Sequence, residues 1–383
     1  MRKKHFLFAS VLALLCGSSA LHAQDFKLTS SGYFKNQGVD IMAFDDIYPE
    51  GHQGGVCIIM NGHRVATNGD IRLEATPGQW QPVPKQLDRK LGDNSITATL
   101  CYPDSSRHLT GFNPMIYPDL HLIYTVNVES KGKNIEVTVD LDRPIPQEFI
   151  GKVGFNLEFF PGSLFGKPWI MDGQSGIFPQ QPNSPLMTTQ PNYLHTGNYH
   201  DGKQSLADMD KLIGKGYSPI VADDIISEPY AKGRKFTSRP DDPYNKVTIE
   251  SLSGDLQLFD GRMNHNNGWF VLRSNIKPGV TKGAVKWIIT PNVVADWMYQ
   301  PVIQTSQIGY HPTQDKEAVI EMDIRDNRKE TAQIIRIDAD GEKVVKNVTP
   351  ANWGKFLRYN YLKVNFTDVK EPGLYKIKYN TSV

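Results

Sequence analysis

Aromatic and acidic side chains stand close together in a proline-rich part of the chain. Residues 160–199 contain six prolines, which leave little room for strand pairing, so we expect a long ordered loop there. Exposed aromatic rings stack on the apolar faces of sugar rings, while carboxylates and amides bind the hydroxyl groups. Binding residues also concentrate in loops. We therefore predict four glycan-binding residues in this loop: Trp169, Asp172, Tyr193 and Tyr199.

Each tryptophan also has a purely structural interpretation. Aromatic side chains are highly buried on average, so Trp169 can instead pin the proline-rich loop to the core. Trp269 and Trp287 lie inside strand-like runs, which indicates core positions. Trp297 falls between two predicted domains, and we expect it at their interface.

Histidines and acids nearby have the chemistry to bind a metal or transfer a proton. His195 and His200 are five residues apart and precede Asp201. A loop does not fix the geometry that a metal requires, so we expect these side chains to form loop hydrogen bonds. Asp223 and Asp224 are candidates for calcium binding or acid–base work, but the usual state of such carboxylates is solvated. The sequence predicts no metal site and no cofactor.

The first 23 residues have the features of a secretory signal. Basic residues at positions 2–4 precede the apolar run Phe6–Leu15, and we expect cleavage after Ala23. The apolar run is far shorter than the ~20 residues of a membrane span. Cys16 would be a lipoprotein anchor, but this chain has leucine where a lipobox has a small residue. We expect a secreted, periplasmic or outer-membrane-associated protein with no transmembrane segment.

Positive and negative charges are nearly balanced in the mature chain. Removal of residues 1–23 takes away three of the 42 basic residues and none of the 41 acidic ones, which leaves a small negative net charge. Such a balance does not attract nucleic acid or anionic lipid. Neither is a predicted partner.

Two cysteines remain after cleavage, Cys57 and Cys101. Each lies in a strand-like run, and no CxxC spacing suggests metal binding. They either form a disulfide in an oxidising compartment or stay as buried thiols on neighbouring strands.

The elements that must position these residues are mostly β-strands. Apolar and polar residues alternate along Leu122–Val128 and Ile135–Leu141, which predicts an antiparallel hairpin joined through 130–134. Similar short runs recur along most of the chain. One capping-box pattern with an apolar stripe predicts a short helix near 205–213. The predicted fold is all-β, with a large antiparallel β-sandwich over residues 24–299.

Residues 300–383 carry a second set of strand and turn patterns. They include Gln307-Ile-Gly-Tyr310, Lys316, the turn Asp338–Gly341, Phe366-Thr-Asp368 and Pro372-Gly-Leu-Tyr375. Each pattern alone is ordinary turn or strand chemistry. Their order and spacing resemble the N-terminal immunoglobulin-like (Ig-like) domain of family 9 glycoside hydrolases, the cellulase family. The resemblance implies a small Ig-like β-sandwich over residues 300–383.

The same resemblance implies a partner for this sandwich. In that family the Ig-like domain packs against an all-helical catalytic barrel and stabilises it. The family's catalytic aspartate lies in a motif like Asp-Ala-Gly-Asp, whereas the Gly-Asp pairs ending at Asp70, Asp93 and Asp255 lack the leading aspartate. The sequence also lacks the succession of amphipathic helices that builds a barrel. We therefore predict no catalytic residue and expect a non-catalytic N-terminal portion that lacks the barrel.

The large domain is similar to the sandwiches attached to bacterial polysaccharide-degrading enzymes, including the galactose-mutarotase-like supersandwich. Because sandwiches host many functions, three hypotheses follow. The first is a part of a secreted cellulase or endo-β-glucanase, whose partners are a barrel of the same polypeptide or operon and a β-glucan polysaccharide. The second is a stand-alone glycan-binding protein of the cell envelope. The third is that the large domain is itself an enzyme, such as a supersandwich lyase or epimerase.

Overall fold

The computed structural model describes residues 25–45, 54–74, 76–77, 84–102, 120–182, 228–263 and 268–382. In these ranges the chain is mostly β-structure and contains no α-helix. Short 3-10 helices in them span Gln147–Phe149, Pro161–Ser163 and Gly261–Met263. Searched over the same ranges, the chain has no helix long and apolar enough to cross a membrane. The predicted all-β fold is confirmed, while the helix predicted near 205–213 lies outside the described residues.

Two antiparallel nine-stranded sheets build the large domain, counted over the described residues. The strands are β1 (Lys27–Leu28), β2 (Phe34–Asn36), β3 (Val39–Ala43), β4 (Val56–Met60), β5 (His63–Leu73), β6 (Lys85–Leu91), β7 (Ser95–Cys101), β8 (Ile123–Lys131), β9 (Asn134–Leu141), β10 (Val153–Phe159), β11 (Pro168–Met171), β12 (Gln174–Ile177), β13 (Ala231–Gly233), β14 (Lys235–Ser238), β15 (Val247–Ser251), β16 (Leu256–Asp260), β17 (Phe270–Asn275) and β18 (Val285–Pro291). Sheet I has the order β1-β2-β3-β4-β5-β10-β17-β16-β13, and sheet II has the order β12-β11-β14-β15-β18-β9-β8-β7-β6.

The two sheets pack face to face over one hydrophobic core. Along β9 the apolar residues at alternate positions are buried and the polar residues between them are half-buried, the period of a strand with one inward face. Trp287 of sheet II is fully buried against Phe155 of sheet I, edge to face, with ring centroids 4.9 Å apart. The predicted core position of Trp287 and the predicted large sandwich agree with this arrangement.

The predicted hairpin between β8 and β9 is confirmed. The strands pair from Tyr124 opposite Leu141 to Lys131 opposite Asn134. Gly132 in the connecting turn has a φ of +67°, which glycine adopts at no steric cost.

The prediction of an unpaired loop over 160–199 is wrong for its first part. Strands β11 and β12 form a hairpin, and β11 also pairs with β14, which attaches the hairpin to sheet II. Pro168 is tolerated because it is the first residue of β11, a position where a missing N–H disturbs a sheet least.

The small domain is a second, separate sandwich. Its strands are β19 (Val302–Gln304), β20 (Glu317–Asp323), β21 (Ala332–Asp338), β22 (Gly341–Val348), β23 (Ala351–Phe356), β24 (Tyr359–Asn365) and β25 (Leu374–Lys378). Sheet III has the order β19-β20-β24-β23 and sheet IV the order β22-β21-β25. One hydrophobic core runs from Phe26 to Ile289 and another from Ala318 to Tyr379. The predicted domain boundary at 299/300 falls between these two cores.

Candidate functional site

Trp169, the first predicted glycan-binding residue, lies in the core. Its side chain on β11 is only 6% exposed. The ring covers Gly176 on the neighbouring strand β12, where a Cβ atom would come within 2.4 Å of it. A buried ring has no free face for a sugar, so the structure favours the core-packing interpretation of Trp169.

Asp172 follows Trp169 at the turn of the same hairpin and binds backbone. Its carboxylate oxygens accept hydrogen bonds from the N–H groups of Arg234 at 2.7 Å and Lys235 at 3.0 Å. These contacts fix the start of β14. The other loop candidates lie outside the described residues, and their roles stay predictions: Tyr193, Tyr199, His195, His200, Asp201, Asp223 and Asp224.

The two cysteines do not bond to each other in this structure. Cys57 lies on β4 of sheet I and is buried, while Cys101 ends β7 of sheet II and is half-buried. The structure thus has thiols and not a disulfide, but they lie on different sheets and not on the neighbouring strands that we expected.

A cleft of about 520 Å³ lies between the two sandwiches. The turn joining β2 to β3 contains Gly38, whose φ is +67° and where a Cβ atom would approach the Trp297 ring to 2.8 Å. Gly62, with φ +84°, accommodates the ring of Tyr299 in the same way at 2.9 Å. Two glycine-containing turns of the large domain therefore pack against Trp297 and Tyr299, the aromatic residues of the segment that links the two domains. Trp297 lies at the interface, as predicted.

Polar contacts join the domains across this cleft. Arg358 of the small domain donates to a carboxylate oxygen of Asp40 in the large domain at 2.5 Å. Gln37 and Arg325, one from each domain, both donate to the carbonyl oxygen of Trp297 at 2.6 Å. These contacts fix the positions of the opposing cleft walls.

Two acids of the cleft, Asp40 and Asp323, pair with arginines. Burial raises the pKa of Asp40, and the charges of Arg358 and Lys35 offset this only in part. Burial also acts to raise the pKa of Asp323, but hydrogen bonds from Arg325 outweigh it and bring that pKa down to about 2. The cleft therefore offers fixed donors and acceptors in ion pairs.

A row of five aromatic rings, here the aromatic row, leads from the cleft across the outer face of sheet III. In order it comprises Trp297, Tyr299, Tyr359, Tyr361 and Trp353, with successive ring centroids 6.2, 5.1, 6.0 and 5.6 Å apart. Tyr359 and Tyr361 alternate with buried residues along β24, so they face away from the core. Trp353 on β23 is 56% exposed.

Glu321 of β20 holds two rings of the aromatic row. Tyr299 donates its hydroxyl hydrogen to Glu321 Oε1 at 2.9 Å, and Tyr361 donates to Oε2 at 3.3 Å. Burial raises the pKa of the Tyr299 hydroxyl, and the neighbouring Glu321 raises it further. Both tyrosines are therefore fixed as hydrogen-bond donors to this carboxylate.

An apolar groove of about 460 Å³ marks another surface of the small sandwich. Edge strands β19 and β25 contribute to it, and its apolar lining includes Ile303, Tyr310, Val369, Leu374 and Ile377. Leu374 is 65% exposed, and Ile308 beside the lining residue Gly309 is 98% exposed. Clustered exposed apolar side chains indicate an interaction surface.

The face of sheet I that points away from sheet II holds a buried polar cluster. Its members, on β5, β10 and β17 or directly after β5, are Asp70, Arg72, Glu74, Asn156, Glu158 and Arg273. Arg273 lies 3.3 Å from Glu74 Oε1 and donates to Asn156 Oδ1 at 3.2 Å, while Asn156 donates to Glu74 at 2.6 Å. Arg273, Glu74 and Asn156 therefore form one hydrogen-bonded charge network.

A β-bulge in β5 orients some of the side chains of this cluster. The pairing of β5 with β10 shifts register near Asn68, whose φ is +55° and whose amide donates to Glu158 at 2.7 Å. Beyond Gly69, where the pairing with β4 ends, the Ile71 N–H donates to Asp70 Oδ1. Tyr124 of sheet II donates to the same oxygen at 2.9 Å. Bulges of this kind re-aim side chains, which explains how Asp70 reaches sheet II.

Burial changes the acid strength of the cluster. It raises the pKa of Glu74 to about 7 against the attraction of Arg273, and that of Asp70 to about 6 against Arg72. Among the described residues, Asp70 Oδ2 and Glu74 Oε2 have no hydrogen-bond partner. The cluster can therefore take up or release protons near neutral pH. The sequence signal for it was the run Asp70-Ile-Arg-Leu-Glu74, in which charges alternate with core residues.

Residues 298–383 match the family model of the cellulase N-terminal Ig-like domain. The match coincides with the small sandwich and confirms the resemblance predicted from its turn and strand patterns. The chain is thus related to carbohydrate-active enzymes through this domain.

Two solved structures show weak similarity to this chain. The Slr1438 protein from Synechocystis sp. PCC 6803 is 8% identical, with a TM-score of 0.31, over 70% of this chain and 96% of that one. A heparan sulfate lyase HepC mutant from Pedobacter heparinus is 10% identical, with a TM-score of 0.25, over 78% of this chain and 41% of the lyase. At these TM-scores neither bears on fold or function. No curated protein matches the chain.

Proposed function

We propose that this chain is the non-catalytic N-terminal portion of a secreted family 9-type glycoside hydrolase, a cellulase or endo-β-glucanase. Its Ig-like domain braces the catalytic barrel of the same polypeptide or operon during the degradation of a β-glucan polysaccharide. The observation that carries the proposal is the match of residues 298–383 to the cellulase N-terminal Ig-like domain. The signal-like residues 1–23 support export to the periplasm, the outer membrane or the exterior.

The apolar groove supports a bracing role. A brace needs an apolar contact surface, and the groove offers one, with Leu374 largely exposed in its lining and Ile308 exposed beside the lining residue Gly309. Charged residues Lys370, Glu371 and Lys376 line the same groove. An apolar centre with a polar rim is the usual anatomy of a protein interface. The groove is therefore the proposed contact with the barrel.

Aspartate in the groove or beside it is expected to weaken barrel binding. The binding partner is a family 9-type barrel of the same polypeptide or operon, produced alone and titrated calorimetrically with this chain. Leu374→Asp and Ile308→Asp are each expected to raise the Kd about tenfold or more, because a charge replaces a desolvated apolar contact. Leu252→Asp is the matched control, since Leu252 is 54% exposed on the large domain and should leave the Kd unchanged.

Two outcomes contradict the bracing role. One is that no family 9-type barrel is encoded with this chain, or that such a barrel does not bind it. The other is that the purified chain by itself releases reducing sugar from cellulose or mixed-linkage glucan, since we assign catalysis to the barrel. The alternative, a stand-alone envelope glycan-binding protein, predicts saccharide binding without any effect on a barrel.

A further inference from the structure

The interdomain cleft and the aromatic row form a continuous surface. Trp297 and Tyr299 line the cleft together with Tyr359. From there the row continues along β24 to the exposed Trp353. A cleft of about 520 Å³ falls within the range of ligand-binding sites, roughly 300 to 1,000 Å³.

Polar groups are interleaved with these rings. Glu321 lies between Tyr299 and Tyr361, and Arg358 stands over the ring of Tyr359, 5.8 Å from its centroid. Arg358 is itself held by Asp40, so its guanidinium is fixed in orientation. A surface that alternates ring faces with fixed donors and acceptors complements a molecule that has apolar faces and hydroxyl edges.

We propose that the interdomain cleft and the aromatic row bind a neutral saccharide chain. Neighbouring rings of the row are tilted by 53–89° to one another, so the exposed ring of Trp353 is the main stacking face and the other rings contact the chain by face or edge. The cleft is lined by four basic residues, Lys27, Lys35, Arg325 and Arg358, and by three acids, Asp25, Asp40 and Asp323. Asp40 and Asp323 are each paired with an arginine, so the charges nearly balance and the cleft lacks the large excess of positive charge that suits a uronic or sulfated sugar. The choice of a β-linked glucan as the saccharide rests on the proposed function. The position of the site rests only on the geometry of the cleft and the aromatic row.

The test is a calorimetric titration of the whole chain with cellohexaose, and with an oligogalacturonate of equal length as the charged comparison. Saturable binding of cellohexaose, and weaker binding of the uronate, is the expected result. Trp353→Ala should weaken cellohexaose binding about tenfold, because a stacking face is lost, while Trp353→Phe should retain most of the affinity. Phe165→Ala is the control, because Phe165 is a partly exposed ring on the large domain.

Several results would overturn the site. They are no binding of cellohexaose by the unmodified chain, tighter binding of the uronate, or equal affinity in Trp353→Ala and the unmodified chain. Trp353 is exposed, so its replacement leaves the core intact, and near-ultraviolet circular dichroism checks this. Barrel binding in the Trp353→Ala variant should be unchanged. A failed saccharide titration with intact barrel binding would thus reject the site and leave the bracing role standing.

Discussion

Replacement of Arg273 by methionine is expected to destabilise the large domain by roughly 3–5 kcal/mol at pH 8. Arg273 is 1% exposed and donates to the carbonyl oxygen of Glu74 at 2.9 Å and to Asn275 at 2.7 Å, besides facing the Glu74 carboxylate. Without it, Glu74 must either keep a buried charge with no cation in contact or take up a proton, and the acceptor oxygens that Arg273 served are left without their donor. The measurement is urea unfolding of the large domain, followed by the near-ultraviolet signal of buried Trp287.

Arg143→Met is the matched control for this substitution. Arg143 pairs with Asp142 at 3.0 Å but its side chain is 53% exposed, so its loss should cost about 1 kcal/mol or less. Adding Glu74→Gln to Arg273→Met should recover part of the lost stability, because the buried charge then disappears as well. Equal losses of unfolding free energy in the Arg273 and Arg143 variants would contradict the stabilising role of the buried polar cluster.

The large domain is expected to be more stable at pH 5 than at pH 8. The folded-state pKa values of Glu74, about 7, and Asp70, about 6, both lie above the ordinary values of 4.5 and 3.8. Between these limits the folded form binds more protons than the unfolded form, so stability falls as pH rises. Since one pKa unit corresponds to about 1.4 kcal/mol, the two carboxyls together should lower the free energy of unfolding by a few kcal/mol.

Glu74→Gln tests the assignment of this pH dependence. The amide cannot ionise, so the difference in unfolding free energy between pH 5 and pH 8 should shrink markedly. Glu250→Gln is the control, because the Glu250 side chain is 45% exposed on β15. A pH 8 stability equal to or above that at pH 5 in the unmodified chain would show that Glu74 and Asp70 ionise normally.

Strand alternation predicted the hairpins well because burial of one face leaves a direct mark in the sequence. The β8–β9 hairpin was recognised in this way, whereas the small sandwich was recognised from the resemblance of its turn and strand patterns to a known domain. Strand β23 was missed, because Gly354 interrupts its alternation and a register shift lies between Asn352 and Gly354. That strand carries Trp353, so the sequence did not indicate the outer end of the aromatic row.

The buried polar cluster was missed for a different reason. Asn156 and Glu158 on β10 occupy the positions that alternation assigns to solvent, yet both are buried. A period of two shows which residues share a face of a strand, but not what covers that face. The cleft likewise depends on how the two domains pack against each other. The only part of it that the sequence predicted was the interface position of Trp297.

Differential scanning calorimetry of the family 9-type barrel, alone and mixed with this chain in excess, tests the bracing role most directly. A bound brace raises the Tm of the barrel, and the increase should grow with the concentration of the chain, since only the folded barrel binds it. The Leu374→Asp variant should lose most of this increase. An unchanged Tm of the barrel at a saturating concentration of this chain would contradict the bracing role.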